Sequence, residues 1–383
     1  MPETLQGLRV LDLTMNLPGP YLTWLLACQG ARVVKVENPK GGDYMRGMGG
    51  AGGLGARYFP AVNRNKLSLA LDLKRHQGRE AFLRLLETYD VLVEGFRPGT
   101  LDRLGLGYAA LREVQPRLIC VSISGYGQEG PLRLRAGHDL NYLALAGLLP
   151  LSGSPAGEPA WPGVQIADLA GGSLLALAGL LMAVIQREKT GQGQYVDAAM
   201  FDGVLSLATM VGAGVAAGLE PPTPGGMALN GRYPCYGLYA TADGAWMSLG
   251  ALEPKFWQNF CALVERPDLL PGQFGDATVK AQVAAIFLRR TRPEWVALLA
   301  DADCCCEPVL DLGEALASPL VAARGLVEQG GPGDGLLACP LRLSHAPNQA
   351  TRPAPRLGQH SAEVLAQAGF TPAEIAALTP EED

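Results

Sequence analysis

The sequence predicts an α/β protein: a doubly wound, Rossmann-like parallel sheet with a smaller α+β domain after it. Short apolar runs rich in Val, Leu and Ile alternate with amphipathic helical runs across residues 9–123. Alternation at that spacing makes the strands parallel and covers both faces of the sheet. Farther on, a run at residues 233–241, the pair Asp243-Gly244 and a second run at 245–249 read as a hairpin outside that pattern.

In order, the chain offers a strand at 9–13, a helix at 20–29 closed by Gly30, and a strand at 32–36. A strand at 67–71, a helix at 77–89 and strands at 91–94 and 118–123 follow a Gly-rich stretch. Within that stretch Gly50-Ala51-Gly52-Gly53-Leu54-Gly55 fits G-x-G-x-x-G, yet it follows no strand and opens no clear helix, so a flexible loop is expected. Apolar helical runs occupy 140–149, 169–185 and 203–219. The last two are seventeen residues each without a charge. A bilayer needs about 20 apolar residues, and no aromatic belts flank these runs, so burial in a core or between subunits is expected and a membrane is not.

After the hairpin come helices at 254–264, 279–287 and 293–299, a buried connecting strand at 304–309 that opens on Cys304-Cys305-Cys306, a Pro- and Gly-rich stretch at 330–335 and a helix at 371–378. The expected domains are a large α/β domain over 1–190, linker helices over 191–225, a small α+β domain over 226–320, and a return segment over 321–383 that packs on the large domain.

With 48% hydrophobic and 18% charged residues the chain is globular. A net charge of −6 leaves no basic excess to neutralise phosphates, so nucleic acid is not expected as a partner. The eight cysteines form no C-x-x-C pair, so no metal site is expected. Free thiols and a start without a signal segment point to the cytoplasm.

Two residues attract chemical interest. His138 stands in a Gly-His-Asp turn ahead of an apolar run, and Asp168 opens the next apolar run. Both types exchange protons near neutral pH, and a carboxylate at a helix start is expected to be held in its charged form. Taken singly, the first is an ordinary turn histidine and the second an ordinary N-cap. Basic loops after the strands, Asn63-Arg64-Asn65-Lys66, Lys74-Arg75 and the one carrying Arg97, suit convergence on an anionic ligand, and equally a solvated rim with no ligand.

Gly7-Leu-Arg-Val-Leu-Asp-Leu13, Pro18-Gly-Pro20, Leu71-Asp-Leu-Lys74, Glu94-Gly-Phe-Arg-Pro-Gly99, Ser124-Gly-Tyr-Gly-Gln128 and Gly193-Gln-Tyr-Val-Asp-Ala-Ala199 together resemble the family III CoA-transferase (CaiB/BaiF) superfamily. Gly137-His138-Asp139-Leu-Asn141-Tyr142 and Gly250-Ala-Leu-Glu253-Pro254 look like its α-methylacyl-CoA racemase branch. The resemblance implies the family III CoA-transferase fold, an interlocked homodimer and an acyl-CoA thioester of lipid metabolism as substrate, with no cofactor beyond the CoA that the substrate carries. It makes His138 and Asp168 the catalytic bases and Glu253 the support of His138. CoA would contact Leu71, Lys74 and Arg97, with Asn63, Arg64, Lys66, Asp139 and Tyr142 as neighbours. Where the racemases often carry an arginine after the second strand, this chain has Asn38, so Lys35 or Arg46 is expected to supply the charge. Met45, Met48 and Met227 are expected in the acyl pocket. The activity implied is racemisation of 2-methylacyl-CoA thioesters by two-base proton transfer through an enolate. The alternative is a CoA-transferase with Asp168 as nucleophile.

Overall fold

The computed structural model describes residues 3–50, 52–153, 158–219, 222–346, 348 and 350–379. Two compact units are present. One combines Met1–Ala146, Gly163–Leu207 and Val321–Asp383; the other combines Gly147–Pro162 and Ala208–Leu320.

The large unit is built on six strands: β1 (Arg9–Leu13), β2 (Arg32–Glu37), β3 (Leu67–Ala70), β4 (Val91–Glu94), β5 (Ile119–Ser124) and β6 (Tyr195–Ala199), in the order β3-β2-β1-β4-β5-β6. Every neighbouring pair is parallel. Five of these strands match the expected runs to within a residue or so at each end. The sixth was not expected, and it extends the sheet past residue 190, where the large domain was expected to pause. Val10, Leu11, Val34, Leu69, Leu92 and Val121 are all buried at 0% exposure. Such continuous apolar strands are what a sheet covered on both faces requires.

Strand order reverses between β1 and β4, and ligands of open α/β sheets bind beyond the carboxyl ends of the strands at such a switch point. The Gly-rich stretch is more ordered than its composition suggests. A turn forms at Tyr44–Gly47 and a helix spans Gly55–Asn63, so Gly55 opens a helix after all. Gly50 and Gly52 carry positive φ of 74° and 73°, whereas Ala51 lies outside the described residues. The apolar run after Asp168 divides into a π-helix, Ala167–Leu174, and an α-helix, Leu175–Thr190. Together they are long and apolar enough to cross a membrane by length and composition. In the large unit they pack against β5 and β6.

The second unit holds β7 (Tyr236–Ala240), β8 (Trp246–Gly250) and β9 (Cys306–Pro308), all antiparallel. Trp257, Phe260, Phe287 and Trp295 are its largest buried side chains, and the rings of Tyr239 and Phe287 stack with centroids 4.9 Å apart. The triple cysteine was expected to be buried throughout. Cys304 and Cys306 are, but Cys305 is exposed with φ +52°. The helix Thr209–Ala216 has no buried residue, and Met210 is 74% exposed. Of the run 203–219, Gly203 and Val204 are buried, but burial of this later helix is not achieved within one chain.

Candidate active site

A cavity of ≈ 460 Å³ opens in the large unit beyond the ends of β1, β4 and β5. Thr14, Met15 and Asn16 after β1, Gly95, Phe96 and Arg97 after β4, Ser124 at the end of β5 and Gly125 after it form its floor and walls. His138 and Asp168 both line it, so two residues thirty positions apart in the chain meet one space.

His138 is the N-cap of the helix Asp139–Leu145, and its N–H donates to Asn141 Oδ1 at 3.0 Å. That bond fixes the backbone and leaves the imidazole exposed to the cavity mouth. Tyr142 braces the preceding turn: its hydroxyl donates to the Gly137 carbonyl at 2.6 Å, and its ring meets Tyr126 edge-on at 5.1 Å.

Asp168 sits in the first turn of the π-helix, with Ile166 as N-cap. Here the structure reverses an expectation. The carboxylate accepts no hydrogen bond among the described residues; instead the Asp168 N–H donates to Asp139 Oδ1 at 3.0 Å. Burial raises the Asp168 pKa to about 7, and the charge of Asp139 adds to the rise. Desolvation is the larger cause and the like charge the smaller, and both favour the neutral acid. A carboxyl poised near neutrality can both take and give a proton.

The π-helix is seated by close backbone contact. A Cβ on Gly171 would lie 2.7 Å from Val204 N, and one on Gly203 would lie 2.0 Å from Gly171 O. Ser173 Oγ donates to the Pro18 carbonyl at 2.6 Å and to the Asp168 carbonyl at 3.0 Å, tying the segment to the loop after β1. π-helical turns recur at functional sites because they re-aim side chains that an α-helix would point elsewhere.

A second cavity of ≈ 430 Å³ lies beyond β2 and β3, and Leu71, Lys74 and Asn38 line it. Two cations not anticipated from the sequence, Lys40 and Arg103, line it too, and none of Lys40, Lys74 and Arg103 has a carboxylate partner among the described residues. Met15, Tyr44 and Phe96 line both cavities. Arg97 reaches the first cavity rather than the second, beside Arg133 and Arg135, and these three guanidinium groups likewise lack carboxylate partners. Arg133 and Arg135 stand just ahead of His138 in the chain, which is the signal that could have found them.

Three expected CoA neighbours are placed otherwise. Asn63, Arg64 and Lys66 line neither cavity and are buried at 0%, 1% and 3% exposure. Lys66 Nζ pairs with Asp12 at 3.1 Å and donates to Asn63 Oδ1 at 2.8 Å, and Arg64 pairs with Glu328 at 2.6 Å. Buried charges need partners within the fold, and these have found them. Lys35 and Arg46 do not replace the missing arginine at Asn38 either. Lys35 pairs with Asp43 at 2.9 Å and Arg46 with Glu37 at 2.8 Å, and neither lines a cavity. The methionines of the first cavity are Met15 and Met200 instead of Met45, Met48 and Met227. Glu253 belongs to the other unit, exposed at the N-cap of the helix Pro254–Leu263.

A family model for CoA-transferase family III matches residues 5–361. Human alpha-methylacyl-CoA racemase is 35% identical over 377 residues, covering 97% of this chain and 95% of the relative. The succinyl-CoA:mesaconate CoA-transferase of Haloarcula hispanica is 36% identical over 388 residues, covering 95% and 96%. Among solved structures, a CAIB/BAIF family protein from Brucella suis superposes with a TM-score of 0.82 at 30% identity, covering 96% of this chain and all of that one (100%). Strand order, the cavities at the switch point and these similarities agree: the chain belongs to CoA-transferase family III.

Proposed function

We propose that this enzyme interconverts the two epimers at C2 of 2-methylacyl-CoA thioesters by two-base 1,1-proton transfer. The observation that carries the reading is that His138 and Asp168 line one cavity while burial holds Asp168 near pH 7. Inverting a carbon next to a thioester removes its proton on one face and returns a proton on the other, so one base must start deprotonated and the other protonated. A carboxyl with a pKa of about 7 fills either role at physiological pH. The thioester carbonyl takes up the enolate charge, and the reaction as written calls for no further cofactor.

The second reading is CoA transfer, in which Asp168 attacks the thioester and carries an acyl anhydride and then a CoA thioester. Similarity to the Haloarcula transferase favours it as much as similarity to the racemase favours the first. The two differ at His138, which proton transfer requires and acyl transfer does not.

Proton NMR of the purified protein with a 2-methylacyl-CoA in deuterium oxide separates them. Washout of the α-proton with loss of stereochemical purity, abolished in His138→Ala, is the expected result. No washout, together with CoA moving onto an added carboxylic acid in both wild type and His138→Ala, establishes the transferase. We also propose a homodimer of interlocked chains, supported by the uncovered apolar helix Thr209–Ala216. Sedimentation at the mass of one chain would exclude it.

A further inference from the structure

Lys35 and Asp43 are both at 0% exposure and pair at 2.9 Å; Asp43 lies in the loop after β2 and also lines the second cavity. Lys35 Nζ also donates to the Thr14 carbonyl at 2.6 Å. Asp43 Oδ1 accepts from Asn16 N at 3.1 Å and from Met45 N at 3.0 Å. The residues on either side of Met15 are therefore pinned, at Thr14 and Asn16, as are those on either side of Tyr44, at Asp43 and Met45. Asn16 is held at φ +63°, a left-handed conformation that costs energy in an unsupported loop. Met15 and Tyr44 are two of the three residues that line both cavities.

From this geometry we infer that the Lys35–Asp43 pair is a positioning pair: it fixes the wall between the cavities so that one elongated ligand occupies both, with its nucleotide in the second and its acyl group in the first. The inference rests on the acyl-CoA reading of the site. A charge pair suits the task because its partners were desolvated on folding, so the loops it holds cannot relax without leaving a charge unpaired.

The inference separates substrates by length. A CoA thioester spans the wall, whereas the corresponding N-acetylcysteamine thioester lacks the nucleotide and enters the first cavity alone. In Lys35→Met/Asp43→Ala, which removes both charges together, the ratio of kcat/KM for the CoA thioester to that for the truncated one should fall about tenfold, equivalent to about 1.4 kcal/mol. The loss should appear in KM. Asp43→Asn preserves shape and one acceptor, and it carries the test if the double variant fails to fold; its ratio should fall about two- to threefold, in the range of a single hydrogen bond. An unchanged ratio, or equal losses on both thioesters, overturns the inference. Calorimetric titration with free CoA gives a readout independent of turnover: Kd should rise by a similar factor in the double variant, and an unchanged Kd also overturns the inference. If wild type performs no washout on either thioester while Kd still rises, the racemase reading fails and the positioning pair stands.

Discussion

Asp139 Oδ1 accepts the backbone N–H of Asp168 at 3.0 Å, so the residue next to one candidate base holds the other in place. The same carboxylate raises the pKa of Asp168, second to burial. One side chain thus holds the position of Asp168 and adds to the rise that burial causes.

Asp139→Asn keeps an oxygen acceptor and removes the charge. The Asp168-dependent limb of the pH profile should move down from about 7 without reaching the ordinary carboxylate range, because burial is the larger cause. Asp139→Ala also loses the anchor, and kcat should drop about tenfold or more, as misplacement of catalytic groups does. The first is read from the pH profile of kcat/KM and the second from kcat at saturating substrate.

For Asp168 itself the sign of the stability effect is unusual. Its folded pKa of about 7 lies above the unfolded value of 3.8, so between these the folded state binds more protons and stability falls as pH rises. Asp168→Asn should therefore abolish activity and raise Tm at pH 8, with little gain at pH 4. Thermal melts at the two pH values check this; a lower Tm at pH 8 would contradict the buried carboxyl.

Lys66 and Arg64 should behave as fold residues. Lys66→Met removes the ion-pair partner of buried Asp12, leaving it the more distant charge of Lys35 and the hydroxyls of Thr14 and Thr23, a loss of about 3 kcal/mol on denaturant unfolding. Lys74→Ala, at an exposed cavity wall, should leave stability within about 0.5 kcal/mol and raise KM for the CoA thioester.

Gly171→Ala places a methyl against Val204 N, a backbone atom that cannot swing away. A cost of about 1–3 kcal/mol is expected from overpacking, with a fall in kcat as the π-helix shifts. Ser173→Ala removes the ties to Pro18 and Asp168 without adding bulk, so its kcat should fall while its unfolding free energy changes by about 1 kcal/mol.

The sheet was legible in the sequence because buried parallel strands must be apolar on both faces, which leaves runs such as Val91-Leu-Val-Glu94 between polar turns. β6 escaped notice since Tyr195-Val-Asp-Ala-Ala199 is an edge strand, and its half-exposed positions dilute the pattern. His138, Asp168, Lys74 and Arg97 drew attention by residue type and by their place at strand and helix ends, whereas Leu71, and the roles given to all five, came only from the family resemblance. What the chain alone could not decide was which cations are free. Arg64, Lys66, Lys35 and Arg46 read as well as Lys40, Lys74 and Arg103 in one dimension, and only folding shows that the first four meet carboxylates, Glu328 and Asp12 from distant segments and Asp43 and Glu37 from the same loop region. The poise of Asp168 belongs to tertiary structure for the same reason. A helix start is expected to favour the charge, but burial and the charge of Asp139, contributed by another helix, raise the pKa to about 7.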